Sequence, residues 1–303
     1  MKLGLFVITL ILFTSACSQD KEEYTHGTLT KDYKDVSEYK SKHDLEKAAK
    51  ANDAEAIFVL ASMYATGEGE KFDQKKALEL FEKSAQLGSS NAMLQLGLIY
   101  RNGNEDVKKD DQKALKWFEE GAKKGNPSAI HNVGLAYYKG LAVTEDKTKA
   151  FTYFIQSAQL GLLQSQTIVA SQLYRGDGVD KNLEESFKWS LKAAEQGDVE
   201  SQNDVGLSYE REEGVAKDPI KALYWFKKAA DNGHTEAEAQ FNTAIKYYNS
   251  AGIEHNLDRS IEYAEMAVRN GNSSAKALLY DIYAESSSLK YNLEKANYWK
   301  SKI

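Results

Sequence analysis

Histidine and cysteine side chains are the groups of this chain best suited to nucleophilic chemistry or metal binding. The 303 residues include a single cysteine, Cys17, and five histidines, which are His26, His43, His131, His234 and His255. Zinc and related metals need several such ligands at close, regular spacing. No His-x-x-x-His or Cys-x-x-Cys pattern occurs in the sequence. We therefore predict no metal centre.

Two glycine-rich segments could be taken for phosphate-binding loops, Gly67-Glu68-Gly69 and Gly176-Asp177-Gly178. A loop of that kind follows a β-strand and opens a helix. Neither segment follows a strand pattern, and both recur at the spacing of an internal repeat, so we interpret them as structural turns. We predict no catalytic residues, no cofactor and no enzyme activity. A small activity such as lactam hydrolysis is the least favoured alternative.

The composition favours helices and disfavours nucleic-acid binding. The chain has 42% hydrophobic residues, 28% charged residues and only two prolines, which is typical of a globular helical protein. Its formal charge is −6, and acidic and basic residues alternate along most of its length. Because nucleic-acid binding needs a concentrated basic face, we expect no nucleic-acid partner.

The N-terminus has the pattern of a secretory signal peptide. Lys2 precedes an apolar run from Leu3 to Phe13, and small residues follow. The run is too short to span a bilayer as a helix, which argues against a transmembrane anchor. We therefore expect residues 1–16 to be removed on export.

Cys17 lies where cleavage would occur. The tetrapeptide Thr14-Ser15-Ala16-Cys17 is similar to the lipobox of bacterial lipoproteins, although that family prefers leucine where Thr14 stands. The resemblance implies that Cys17 is acylated and that residues 17–36 form a lipidated N-terminus and a flexible tether. Ser18 replaces the aspartate that retains such proteins at the inner membrane. The implied location is the periplasm, with a lipid anchor in the outer membrane.

A sequence motif that ends in glycine recurs along the rest of the chain. KALKWFEEGAKKG ends at Gly125, and KALYWFKKAADNG ends at Gly233. The equivalent glycines are 36 to 38 residues apart and are Gly88, Gly125, Gly161, Gly197, Gly233 and Gly271. A fixed period of this length is typical of a solenoid of helix pairs.

Each copy of this motif predicts the second helix of a pair. Its N-cap, whose side-chain oxygen accepts hydrogen bonds from first-turn amides, stands fifteen residues before the glycine. These residues are Asp73, Asp110, Asp146, Asn182, Asp218 and Asn256. A large core residue stands eight before the glycine, at Leu80, Trp117, Tyr153, Trp189, Trp225 and Tyr263.

The first helices of four pairs carry a small residue near the centre, at Gly97, Gly134, Ala170 and Gly206, whereas the sixth repeat has Phe241-Asn242 there. A glycine there costs about 1 kcal/mol relative to alanine, so we expect a Trp or Tyr of another helix to lie over it. The pattern begins with a half-repeat capped by Ser37 and continues through six full repeats. Asn292, Ala296 and Trp299 fit a truncated last repeat, so we predict a solenoid over residues 37–303.

The whole pattern resembles the Sel-like repeat (SLR), a relative of the tetratricopeptide repeat. The resemblance covers nearly all of the chain after the tether. It implies an all-α fold, a right-handed α/α solenoid of antiparallel helix pairs. It also implies that the concave face of this superhelix binds a protein or peptide and that the repeat carries no chemistry of its own.

The same resemblance identifies candidate partner-binding residues on the first helices, at 3, 6, 10, 13 and 14 positions after each glycine. The set mixes tyrosine, arginine and amide side chains, which are frequent at interface hot spots. The strongest candidates are Asn91, Leu94, Arg101, His131, Tyr138, Gln164, Thr167, Tyr174, Arg175, Asn203, Glu210 and Arg211.

Two functions fit these observations about equally. SLR lipoproteins similar to this one accompany type VI secretion phospholipase effectors as immunity proteins, which implies a lipase effector as the captured partner. The alternative is an envelope scaffold or adaptor for a secretion or polysaccharide-export assembly. In either case we expect a monomer attached to the membrane through its N-terminal lipid.

Overall fold

The computed structural model describes residues 39, 41–231, 237–249, 256–286 and 288–303. The predicted signal peptide, Cys17, the tether and Ser37 lie outside these residues, as do His26, His234, His255 and Gly233. Every regular element within the described ranges is a helix. The all-α prediction is therefore confirmed.

Within the described residues, helix α1 (Lys42–Lys50) is followed by seven helix pairs. The pairs are α2 (Ala54–Thr66) with α3 (Gln74–Gln86), α4 (Ser90–Asn102) with α5 (Asp111–Lys123), α6 (Pro127–Lys139) with α7 (Lys147–Gln159), α8 (Leu163–Arg175) with α9 (Leu183–Glu195), α10 (Val199–Arg211) with α11 (Pro219–Asp231), α12 (Ala237–Asn249) with α13 (Leu257–Arg269), and α14 (Ser274–Ala284) with α15 (Leu293–Lys300).

The helices form two compact units. The first unit ends at Ser165 and the second begins at Gln166, so the division falls within α8. Each unit has its own buried apolar side chains. Ile57, Leu96, Phe118 and Val133 belong to the first unit, and Val205, Phe226, Leu279 and Ile282 belong to the second.

The second helices begin where the sequence predicts. Asp110 Oδ1, for example, accepts a hydrogen bond from the amide of Lys113 at 2.9 Å, and Asp218 Oδ1 accepts from that of Lys221 at 3.0 Å. The side chains of the other predicted caps accept in the same way, and these are Asp73, Asp146, Asn182, Asn256 and Asn292. All of the predicted second-helix caps are confirmed.

The first described helix begins later than predicted. Its N-cap is Ser41, whose hydroxyl accepts from the amide of Asp44 at 3.2 Å, whereas the predicted cap Ser37 lies outside the described residues. The first helices of the pairs also have caps that the sequence analysis did not identify. These stand one position after a repeat's glycine, or at the equivalent place, and are Asp53, Ser89, Asn126 and Asp198. Before α14, whose N-cap is Ser273, the side chain of Asn272 accepts in the same way from the amide of Ala275 at 3.0 Å.

The prediction of which aromatic residue packs on the mid-helix glycines is wrong by one position. Phenylalanine, not Trp or Tyr, lies over them. A Cβ atom added at Gly134 would lie 2.8 Å from the Phe154 ring, and one at Gly206 would lie 2.6 Å from the Phe226 ring. The aromatic residue one position earlier stacks elsewhere, as Tyr153 does on Tyr137 with ring centroids 5.7 Å apart. One residue is about 100° of helix turn, which accounts for the change of neighbour.

Candidate functional site

The candidate binding residues lie on the first helices, and each unit presents its own set. We call these sets the first-unit face and the second-unit face. The first-unit face consists of Asn91, Leu94, Arg101, His131, Tyr138 and Gln164. The second-unit face consists of Thr167, Tyr174, Arg175, Asn203, Glu210 and Arg211.

Amide side chains on both faces connect neighbouring repeats. Asn91 Nδ2 donates to Glu55 Oε2 at 3.3 Å, and Asn126 Nδ2 donates to Asn91 Oδ1 at 3.2 Å. In the second unit, Asn242 Nδ2 donates to Asn203 Oδ1 at 3.2 Å. Asn91 is only 5% exposed and Asn203 only 6%, so these two candidates hold the repeats together and offer a partner little surface.

Arg101 and His131 form the centre of the first-unit face. Arg101 Nη1 donates to Asn132 Oδ1 at 2.6 Å, and its guanidinium lies 5.9 Å from the centroid of the Phe118 ring. The Nδ1 atom of His131 lies 2.8 Å from Ser165 Oγ, and its ring centroid lies 5.4 Å from that of Phe154. Both side chains are therefore fixed by contacts within the unit.

His131 is a neutral structural residue at neutral pH. Burial, and secondarily the positive charge of Arg101, lower the pKa of its imidazole to about 4. Its neighbour Ser165 is fully buried and donates its hydroxyl to Ser157 Oγ at 2.8 Å. A histidine beside a serine can activate a nucleophile, but here the serine is out of a substrate's reach.

The second-unit face is more open. Tyr174 is 42% exposed, and its hydroxyl lies 3.5 Å from Glu213 Oε2. Arg175 and Arg211 are exposed, whereas Glu210 forms an ion pair with the nearly buried Lys246. Aromatic and guanidinium groups that remain accessible in this way can supply most of the binding energy of an interface.

A pocket of about 380 Å³ lies on this open face, between α8, α9 and α10. Four predicted residues line it, namely Thr167, Tyr174, Arg175 and Arg211. The remaining lining residues are Ala170, Ser171, Ser186, Ser190, Asp198, Glu200, Ser201, Asp204, Leu207, Ser208 and Glu213. The sequence analysis did not identify this pocket. The available signal was Ser190, which stands where the repeats on either side have phenylalanine.

The described residues offer no group of histidine, cysteine, aspartate and glutamate side chains that could hold a metal ion. Within the same residues, no helix combines the length and the apolar composition needed to cross a bilayer.

Comparison with protein families identifies the repeat. The family model described as Sel1 repeat matches six segments, which together cover more than half of the chain. They are residues 54–89, 90–126, 127–162, 164–198, 199–234 and 237–272. Each segment corresponds to one helix pair from α2–α3 to α12–α13, so the predicted resemblance to Sel-like repeats is confirmed.

Solved structures with the same fold include c5321 of uropathogenic Escherichia coli, a protective antigen that displays an SLR fold. The match has 28% identity and a TM-score of 0.78, and it covers 87% of this chain but only 56% of c5321. A Sel1 repeat protein from Oxalobacter formigenes matches with 26% identity and a TM-score of 0.57, over 86% of this chain and 97% of that protein.

Immunity protein Pa5087 of Pseudomonas aeruginosa is a more distant neighbour, with 19% identity and a TM-score of 0.34 over 70% of this chain and 80% of that protein. At that distance it carries no argument about function. No sequence among curated proteins matches this chain.

Proposed function

This chain belongs to the Sel1 repeat family, and we propose that it is a non-catalytic module that captures a partner protein on its first-helix faces. The observation that carries the proposal is the second-unit face, where Tyr174, Arg175 and Arg211 are exposed around a pocket. Arrays of helix pairs expose extended surfaces of this kind and use them for protein binding. The first-unit face, with its side chains fixed by internal contacts, provides a more rigid surface beside the first repeats.

The lipobox-like segment supports a more specific form of the proposal. In this form of the proposal, the protein is exported to the periplasm. The acyl chains on Cys17 anchor it in the outer membrane. The partner is then a periplasm-acting phospholipase effector of a type VI secretion system, and this protein is the immunity protein that neutralises it. Coverage of the effector's active site by the bound solenoid would be sufficient, with no catalysis by this chain.

An envelope scaffold or adaptor is the second candidate. The observation that favours it is the division into two compact units, each with its own face, because two faces can hold two components of a secretion or polysaccharide-export assembly at once. In that role the protein would bind several envelope proteins and would protect against no toxin.

Co-expression with a candidate phospholipase effector of a type VI secretion system tests the immunity role. We expect a stable complex on size-exclusion chromatography and restored growth of cells that produce the lipase in the periplasm. The matched variants are Tyr174→Ala, which removes an exposed face residue, and Tyr224→Ala, which removes an exposed tyrosine of the second helix α11. Only the first should weaken the complex. Failure to bind any such lipase, with no rescue of growth, removes the immunity role.

A further inference from the structure

The pocket of the second unit occupies a place that phenylalanine fills in other repeats. In those repeats a ring from the second helix, seven residues before the repeat's glycine, packs on a glycine of the first helix. The ring-on-glycine pairs are Phe118 on Gly97, Phe154 on Gly134 and Phe226 on Gly206. The α8–α9 repeat has Ser190 and Ala170 at these two positions, and both line the pocket.

The positions that surround the filled site also line the pocket. The Phe154 ring lies 5.4 Å from the His131 ring and 6.3 Å from the Tyr138 ring, measured between centroids. The residues one repeat later are Thr167 and Tyr174, and both line the pocket. The tyrosine is thus kept in α8–α9, whereas a smaller threonine replaces the histidine and a serine replaces the phenyl ring.

The polar groups of the pocket are compatible with an aromatic ligand. Ser186 Oγ donates to the carbonyl oxygen of Ala170 at 2.8 Å, so this hydroxyl already has a partner. Ala170 and Leu207 contribute apolar surface to the walls. Arg175, Arg211 and several carboxylates also line the pocket, and groups of both signs suit the backbone and side chains of a polypeptide.

We propose that this pocket receives an aromatic side chain, phenylalanine or tyrosine, from a segment of the partner protein. The inference rests on the proposed protein-binding function and specifies the chemistry of the anchor that gives it selectivity. A partner ring replaces the ring that Ser190 does not supply, and it packs against Ala170, Thr167 and Tyr174. A buried aromatic anchor with a polar surround is a common arrangement at an interface hot spot.

Titration of the purified mature protein with N-acetyl-phenylalaninamide tests the proposal directly. We expect saturable shifts of backbone amide NMR signals at Ala170, Ser190 and Leu207, with the first-unit signals unchanged. N-acetyl-alaninamide should bind at least about tenfold more weakly, because it has no ring to bury. Equal responses to the two amides, or shifts confined to other residues, would overturn the proposal.

The double variant Ala170→Gly, Ser190→Phe supplies a second test by restoring the ring-on-glycine pair of the neighbouring repeats. It should keep the helical circular dichroism of the wild type and lose the shifts caused by N-acetyl-phenylalaninamide. The matched control is Ala170→Gly alone, which leaves the pocket open and should retain them. Wild-type affinity in a folded double variant would overturn the proposal, and the wild-type titration decides the question even if the double variant does not fold.

The same double variant separates this inference from the proposed function. If it still binds the partner protein as the wild type does, the pocket is not the anchor site, although protein capture stands. If the wild-type protein takes N-acetyl-phenylalaninamide into the pocket but binds no protein partner, the aromatic selectivity stands and the capture function is wrong.

Discussion

Single residues of this protein divide into those that fix the repeats and those that remain available to a partner. Ala194 is fully buried near the end of α9, whereas the adjacent Glu195 is exposed. On the two faces, Asn91 and Asn203 are tied to neighbouring repeats, while Tyr174, Arg175 and Arg211 remain accessible. Sequence position predicted that all five would lie on the first helices. It could not predict which are accessible, because burial depends on side chains contributed by the next repeat.

Ala194 provides a test of the assigned packing. Replacing it with leucine should destabilise the protein by about 1–3 kcal/mol, because added methylenes in a packed helix junction force side chains out of place. The matched change Glu195→Leu, one residue later on the surface, should alter stability by no more than about 0.5 kcal/mol. Urea unfolding followed by circular dichroism measures both. Equal losses from the two substitutions would contradict the assigned face of α9.

His131 makes the stability of the first unit depend on pH. Its pKa is about 4 in the folded protein and about 6.5 when unfolded, so the unfolded chain binds the extra proton more readily. Its contribution to stability is therefore complete above pH 6.5 and decreases as the pH falls towards 4. The loss is at most about 1.4 kcal/mol per pH unit. His131→Gln should reduce this dependence.

The measurement is the urea midpoint of the wild type and of His131→Gln at pH 7 and at pH 4.5. The wild type should lose more stability between the two pH values than the variant does. An identical loss in both proteins would show that other groups account for the acid sensitivity.

At the scale of helices, the repeat pattern predicted most of the architecture. The glycine period placed the helix pairs, and the Asp and Asn residues fifteen positions earlier located the second-helix caps. The caps of the first helices were not predicted; most of them immediately follow the glycine that ends the preceding helix, and Asp53 follows Asn52. The aromatic residue predicted to pack on the mid-helix glycines was also wrong. Period alone does not fix the rotation of one helix against its partner, and a shift of one residue selects a different side chain.

Gly206 tests the close approach of α10 and α11. Alanine is the better helix former by about 1 kcal/mol, so Gly206→Ala would stabilise an isolated helix. In the folded protein the new Cβ would lie 2.6 Å from the Phe226 ring, and we expect a net loss of about 1–3 kcal/mol. Thermal unfolding provides the measurement.

Two further variants test whether the loss comes from the contact between the added methyl group and Phe226. Phe226→Leu in the Gly206→Ala background should recover part of the loss, because the smaller side chain makes room for the added methyl group. Ala170→Gly, at the equivalent position where no phenylalanine packs, should cost only about 1 kcal/mol. A stabilised Gly206→Ala protein would mean that the two helices are further apart than described here.

At the scale of the whole molecule, the two units differ in what they offer to a partner. Internal contacts hold much of the first-unit face, whereas exposed side chains surround a pocket on the second-unit face. The resemblance to Sel-like repeats implied the first helices as the binding surface. The pocket was not predicted, although Ser190, which lines it, stands where the two adjacent repeats have phenylalanine.

The Arg211→Ala variant separates an effect on partner binding from an effect on folding stability. The Arg211 guanidinium is exposed and lines the pocket, so Arg211→Ala should change stability by no more than about 0.5 kcal/mol. If Arg211 is a hot-spot residue, the variant should weaken partner binding by about tenfold or more. Isothermal titration calorimetry with the partner, beside urea unfolding of the variant, measures the two effects separately. Unchanged affinity would remove Arg211 from the proposed site.

Hydrogen–deuterium exchange of the protein, alone and in complex with its partner protein, tests the central claim most directly. We predict that complex formation slows exchange on the first helices α4, α6, α8 and α10, most strongly around the pocket of the second unit. The second helices α5, α7, α9 and α11 should exchange as they do in the free protein. Protection confined to those second helices would contradict the proposal that the first-helix faces capture the partner.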